Sequence, residues 1–237
     1  MLKTSVLEFP VGNVLNDHLC LQYEIADGLP DLPALPETLL SLEFQLQESS
    51  VDLRGFTETV LGDLGATIQI LRLAGQEYEF AEDCPPRIED CISDLGLNAC
   101  LDAATRGTFA GGAHQRADFE IWTHSREIAR HFRTLAEEMP GTVSPDQAYI
   151  AGLLHAIGAL PLILEWQWED MPGDRVFAAL KLAELWRLPR YVKDFFGELL
   201  VPGYNPYWSE FLAAAHHRTR ASWARCPVKE VSLRSLA

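Results

Sequence analysis

Apolar residues recur along most of this chain at intervals of three and four, the spacing that builds one face of an α-helix. After Pro36, the segment PETLLSLEFQLQE places Leu39, Leu40, Leu42, Phe44 and Leu46 on a predicted apolar face. A second helix is expected after Asp52, with Leu53, Phe56, Val60 and Leu61 inward and Ser50 or Asp52 as its cap. A third, ATIQILRLAGQ, turns Ile68, Leu71 and Leu73 inward and stops near Gly75. Arg87–Leu95 and Leu97–Phe109 read as two short helices hinged at Gly96. Ala117–Met139 reads as one long amphipathic helix, ended by Pro140–Gly141. Ser144 followed by Pro145 marks the start of the next helix, which continues through AYIAGLLHAIGAL. Val176–Trp186, Arg190–Leu200 and Tyr207–His217 complete the series. Strand signals are nearly absent, apart from a possible short strand at Ser5–Phe9, so the expected class is all-α.

Breaks in this pattern suggest four regions. Residues 1–28 lack sustained periodicity and form an N-terminal extension. In GLPDLPALPET, Pro30, Pro33 and Pro36 hold the chain extended, as a linker lying on the surface. The helices of 29–112 make one lobe and those of 113–218 a second. TRGTFAGGAH between them carries Gly107, Gly111 and Gly112, and reads either as a hinge or as a turn within one rigid core. The lobes are expected to meet through the Cys91–Leu101 helices, with Leu39, Phe44, Phe56 and Leu71 filling the first lobe's own core. The tail, 219–237, is basic.

Composition narrows the function. The 237 residues can bury a sizeable core without disulfides. Cys20, Cys84, Cys91, Cys100 and Cys226 show no CxxC spacing, so reduced thiols are expected rather than a zinc knuckle or disulfide framework. The net charge of −15 disfavours nucleic acid as a partner. No apolar run reaches the roughly 20 residues of a membrane span, and the first residues lack the apolar core of a signal peptide. A cytoplasmic protein without membrane contact is expected.

Seven histidines carry the candidate chemistry: His18, His114, His124, His131, His155, His216 and His217. His155 sits in the apolar AGLLHAIGAL, where an isolated imidazole is usually a satisfied core residue. Its ring is expected to bond to a neighbouring helix, with His124 a candidate partner. His124 and His131, two turns apart in WTHSREIARHF, could converge with it, and Glu127 and Arg130 share that side. A hydrolytic metal centre also needs carboxylates, and none adjoins His155. His216 and His217 point about 100° apart on a helix, which places one ring inward and opposes joint ligation of one ion. No GxSxG or HExxH occurs, and GTFAGGAH lacks the lysine of a phosphate-binding loop.

Taken together and in this order, LPALPETLLSLEFQLQE, VLGDLGATIQILRLAG, RIEDCISDLGLNACLDAA, IWTHSREIARHF, DQAYIAGLLHAIGAL and LAELWRLPRYV resemble the HDOD family over about residues 29–200. That family comprises non-enzymatic relatives of HD phosphohydrolases found in bacterial signalling proteins. The resemblance implies an HD-domain/phosphodiesterase-like helical bundle with an N-terminal helical lobe. It also implies that His124, His155, Ala156 and Arg175 occupy degenerate metal-site positions, the doublet's aspartate being replaced by Ala156. In the first lobe, the usual Asp-Pro appears as Asp63–Leu64 and the usual Ala-Asn-Ser as Ala74–Gly75–Gln76. The expected role is a non-catalytic signalling module without metal or cofactor, acting on other signalling proteins. Arg126, Glu127, Arg130 and His131 are candidates to line an inter-lobe cleft for a small molecule. A nucleotide or phosphorylated-ligand sensor and a degenerate phosphohydrolase remain as alternatives.

Overall fold

The protein was analysed as a computed structural model that describes residues 31–78, 85, 87–107, 114–164, 166, 172–201 and 207–223; in the helices at 114 and 207, side chains are described for 120–138 and 207–219. The extension 1–28 with Ser5–Phe9, Cys20, Cys84, Cys226, Gly111, Gly112 and the tail beyond 223 lie outside them. The described residues contain helices and no strand. In chain order these are α1 (Pro36–Gln47), α2 (Leu53–Leu61), α3 (Leu64–Glu77), α4 (Ile88–Leu95), α5 (Leu97–Ala104), α6 (His114–Glu138), α7 (Pro145–Leu154), a 3-10 turn (Ile157–Ala159), α8 (Leu160–Ile163), α9 (Arg175–Leu185), α10 (Arg190–Leu200) and α11 (Tyr207–Trp223).

Local chemistry sets several of these starts. Asp52 caps α2 by accepting from the Arg54 N–H, and Asp63 caps α3 through the Ala66 N–H. Ser144 occupies the cap position of α7, but its hydroxyl makes no cap bond. Gly96 stands between α4 and α5 with φ +85°, a conformation that disfavours a side chain.

One hydrophobic core runs from Leu32 to Ala215 without interruption between the first five helices and the rest. In the later helices its centre is aromatic. Phe132 of α6 lies 5.9 Å from both Phe195 and Phe211, and Phe195 lies 5.4 Å from Trp208. The steep edge-to-face angles of these pairs suit the ring quadrupoles.

Several expectations are corrected. Phe44 is 67% exposed and Leu40 54%, because α1 buries the stripe through Leu42, with Leu39 and Leu46 beside it, and both lie off that stripe. The proline segment is no surface linker: Leu32, Pro33 and Ala34 are buried, and the Leu32 carbonyl accepts from Gln69 Nε2 at 3.1 Å. The helix through AYIAGLLHAIGAL ends at Leu154, and a 3-10 turn follows. At that turn a Cβ on Gly158 would stand 1.9 Å from the Arg175 carbonyl oxygen, so the tight turn lets the start of α9 pass close by. Finally, the two groups of helices meet mainly through α3 against α6 and through the 61–63 turn, rather than through α4 and α5 against α6.

That junction is polar and well satisfied. Buried Asp63 accepts from Ala66 N at 3.0 Å, Leu35 N at 2.7 Å and Trp122 Nε1 at 3.1 Å. One carboxylate thereby holds the entry to α1, the start of α3 and the middle of α6. Tyr149 Oη donates to the Leu61 carbonyl at 2.9 Å. Gly75 faces the loop after α9, where a Cβ would stand 2.5 Å from the Arg187 carbonyl oxygen. Gly107 is buried against the Leu32 carbonyl, so this glycine of the joint is packed rather than free to swing.

The run Pro145–Ile163 is long and apolar enough to cross a membrane by length and composition, contrary to the expectation that no run reaches that length. Its apolar window is 67% buried inside the protein, as befits a core helix.

Candidate functional site

Three imidazoles meet where α6, the end of α7 and α11 come together. His124 and His155 have ring centroids 5.1 Å apart, His124 and His216 5.6 Å, and His155 and His216 5.5 Å. His124 is buried on the inner face of α6, between Ile121 and Ile128. His155 stands at the C-terminal cap of α7 and keeps part of its surface accessible, although protein surrounds its ring. Its Nδ1 lies 2.8 Å from the Gly152 carbonyl, a pure acceptor, so Nδ1 carries the proton and donates. The bond therefore runs to its own helix, and the contact with His124 is a ring contact instead of the expected hydrogen bond.

His216 is the member that sequence reasoning assigned no role in this cluster. The adjacent pair does split as expected, with His216 half-buried and His217 exposed. The available signal was its position on α11, one turn beyond Leu212 and flanked by buried Ala215 and Thr219. His131 does not join the group. It lies near Glu127 and Arg218, whose charges act on it in opposite senses.

The cluster is electrostatically hostile to protons. Burial is the main cause that lowers the His124 pKa to about 4, with the neighbouring His216 charge adding to it. For His155, burial comes first again, then the charges of His124 and His216, and the Gly152 bond opposes them only in part. Both rings are neutral near pH 7. Ala156 supplies no donor atom, and Arg175 is a fixed cation at the start of α9, with one guanidinium nitrogen buried and lacking a hydrogen-bond partner. Among the described residues, no group of three or more His, Cys, Asp or Glu is arranged to hold a metal ion. An HD-type metal centre therefore does not fit the described side chains.

A second feature lies where the early and late helices face each other. A cavity of about 430 Å³ is lined by Arg54, Arg87 and Glu89 from the first five helices, and by Arg133, Asp146 and Tyr149 from α6 and α7. The expected lining set Arg126, Glu127, Arg130 and His131 is not on its walls. Arg130 is exposed, and Arg126, Glu127 and His131 are half-buried. Arg126 and Arg130 do lie close enough for their charges, with that of Arg133, to favour the ionised form of Tyr149 against the larger effect of burial.

Comparison with known proteins agrees with the fold. No curated protein matches the chain significantly. Among solved structures, the MmoQ response regulator from Methylococcus capsulatus superimposes with a TM-score of 0.65 at 19% identity, covering 86% of this chain and 91% of that one. A virulence factor from Campylobacter jejuni gives a TM-score of 0.59 at 16% identity, covering 78% of each chain. At such identities the likeness concerns the fold. The HDOD domain matches residues 32–169, more than half of the sequence, and the chain belongs to the HDOD family.

Proposed function

We propose that this protein is a non-catalytic regulatory module of a bacterial signalling pathway, acting in the cytoplasm through contacts with other proteins. Membership of the HDOD family supports a regulatory role, and so does the likeness to a response regulator. The observation that carries the non-catalytic part is the chemistry of the histidine cluster. Among the described residues the three mutually contacting imidazoles belong to no donor group arranged to hold a metal ion, and Ala156 offers no atom to balance a divalent cation's charge or to take a proton from a bound water. The net charge of −15 supports a protein partner over a nucleic acid.

The test has two arms. The purified chain is assayed for phosphodiester and phosphomonoester hydrolysis with added manganese, iron or zinc. No turnover above buffer is expected, and turnover lost in His124→Ala would overturn the non-catalytic reading. In the native host, in-cell crosslinking should recover the chain in a defined complex with another signalling protein. Recovery of the free chain alone would sink the contact reading.

A further inference from the structure

The inter-lobe cavity described above has features that the histidine cluster lacks. Its volume of about 430 Å³ falls within the range of small-molecule sites. Three guanidiniums face it, in a chain whose net charge is strongly negative. Arg54 is paired with Glu58 at 3.1 Å and Arg87 closely with Glu89, but the carboxylate standing between Arg87 and Arg133 satisfies them loosely. Asp146 reaches Arg87 at 3.4 Å and Arg133 at 3.5 Å, well beyond the roughly 2.8 Å of a strong charge-assisted hydrogen bond. Arg133 Nε is shielded from solvent with no acceptor in reach, and its guanidinium lies 4.3 Å over the Tyr149 ring, which fixes its plane. One helix also begins at this cavity: Arg87, the cap residue of α4, makes no side-chain cap bond, so first-turn N–H groups add positive potential there. Arg126 and Arg130, on the same side of α6 as Arg133, add to it.

We propose that this cavity binds a small phosphate-bearing molecule, whose phosphate bridges Arg87 and Arg133 in place of Asp146. The preference for phosphate follows from charge. Three carboxylates, Glu58, Glu89 and Asp146, already balance the three arginines. An incoming carboxylate would only exchange one monoanion for another. A phosphate monoester brings a charge of roughly −1.5 to −2 and three acceptor oxygens, which reach the arginine donors that Asp146 leaves at long range. The same carboxylates oppose it, so the affinity for the bare anion belongs in the millimolar to high micromolar range. Because Arg87 precedes α4 and Arg133 belongs to α6, the ligand ties the early helices to the late ones. This site stands apart from the partner contacts proposed above and does not depend on them.

The test is a calorimetric titration of the full chain with inorganic phosphate at constant ionic strength, with acetate as the monoanion control. Saturable binding of phosphate and none of acetate is expected. Arg87→Gln should weaken it about tenfold or more, the loss of one charged hydrogen bond. Asp146→Asn should move the other way and tighten it severalfold, because the internal competitor loses its charge. Merely structural roles would move both variants in the same direction. If Arg87→Gln does not fold, Arg54→Gln on a side chain 83% exposed serves instead, with a smaller weakening expected. No saturation by tens of millimolar phosphate, an equal response to acetate, or binding indifferent to these substitutions would overturn the proposal.

Discussion

Asp63 and His124 are both buried polar residues where helices meet, yet they are solved in opposite ways. Asp63 has three donors converging on its two oxygens, from the backbone of two segments and from Trp122. His124 faces two other imidazoles, and among the described residues no set of three or more His, Cys, Asp or Glu there is arranged to hold a metal ion. The first is a charge held by directed hydrogen bonds, and it sets the position of three elements at once. The second is a set of contacting rings in which burial keeps His124 and His155 neutral near pH 7. Architecture in this fold is carried by the junction, whereas the histidine cluster, among the described residues, is held by ring contacts and burial.

The comparison can be broken most severely at Asp63. Asp63→Ala strands three donors in the interior, each costing on the order of 1–3 kcal/mol, so a loss of at least about 3 kcal/mol is expected in chemical denaturation. Asp63→Asn keeps acceptor capacity and should recover part of it. A near-neutral Asp63→Ala would mean that the junction is decoration.

Acid is the next largest perturbation, and it acts on the other region. The folded pKa values of His124 and His155 lie below the ordinary value near 6.5, so the unfolded chain binds more protons than the folded one as pH falls. The stabilisation is fully present above about pH 6.5 and is lost as pH falls through the window down to about 4 for His124. Each such histidine contributes a slope of up to about 1.4 kcal/mol per pH unit there, and the contacting rings titrate as a coupled set. Denaturation midpoints measured across that window should fall steadily. A flat profile would show that the rings are already charged or are reached by water.

His155→Ala comes third. It removes the donor to the Gly152 carbonyl and leaves a space among Leu153, Leu154 and the two remaining imidazoles, a loss of about 1–3 kcal/mol at neutral pH. Its acid slope should also be shallower than that of the wild type. Full stability with an unchanged slope would place the ring outside the core and reopen the cluster as a binding site.

How much of this was legible in the sequence differs between the two regions. The helices from Ala117 onward were readable because their apolar residues recur strongly, and the approach of His124 to His155 followed from two adjacent helices. His216 was not readable, since it arrives from α11 by tertiary packing across some 60 residues of sequence. Nor was the break at His155, because its reason is the backbone of Arg175 crossing Gly158, a long-range contact with no local signal beyond a glycine. Asp63 was visible as a polar residue before a helix, but its bond to Trp122 spans 59 positions. Phe44 was misplaced because a short helix with five apolar residues offers two apolar faces, and only the packed structure chooses between them.

The smallest expected effect sharpens the comparison within α6 itself. His131 stands two turns from His124 and is the same residue type on the same helix. It remains half-buried, outside the cluster, with Glu127 and Arg218 acting on it in opposite senses. Burial still lowers its pKa, so it shares the sign of the acid effect, but the Glu127 charge opposes that lowering, whereas for His124 the neighbouring His216 adds to it. His131→Gln is therefore expected to change stability at neutral pH by no more than about 0.5 kcal/mol, the usual range for substitutions outside a packed network. Its acid profile should follow the wild type closely, whereas His124→Gln should remove a clear part of the slope. Measured side by side, the two variants separate the cluster from the mere number of histidines. If His131→Gln flattens the profile as much as His124→Gln does, the acid sensitivity belongs to α6 as a whole and the three-ring contact has no special part in it.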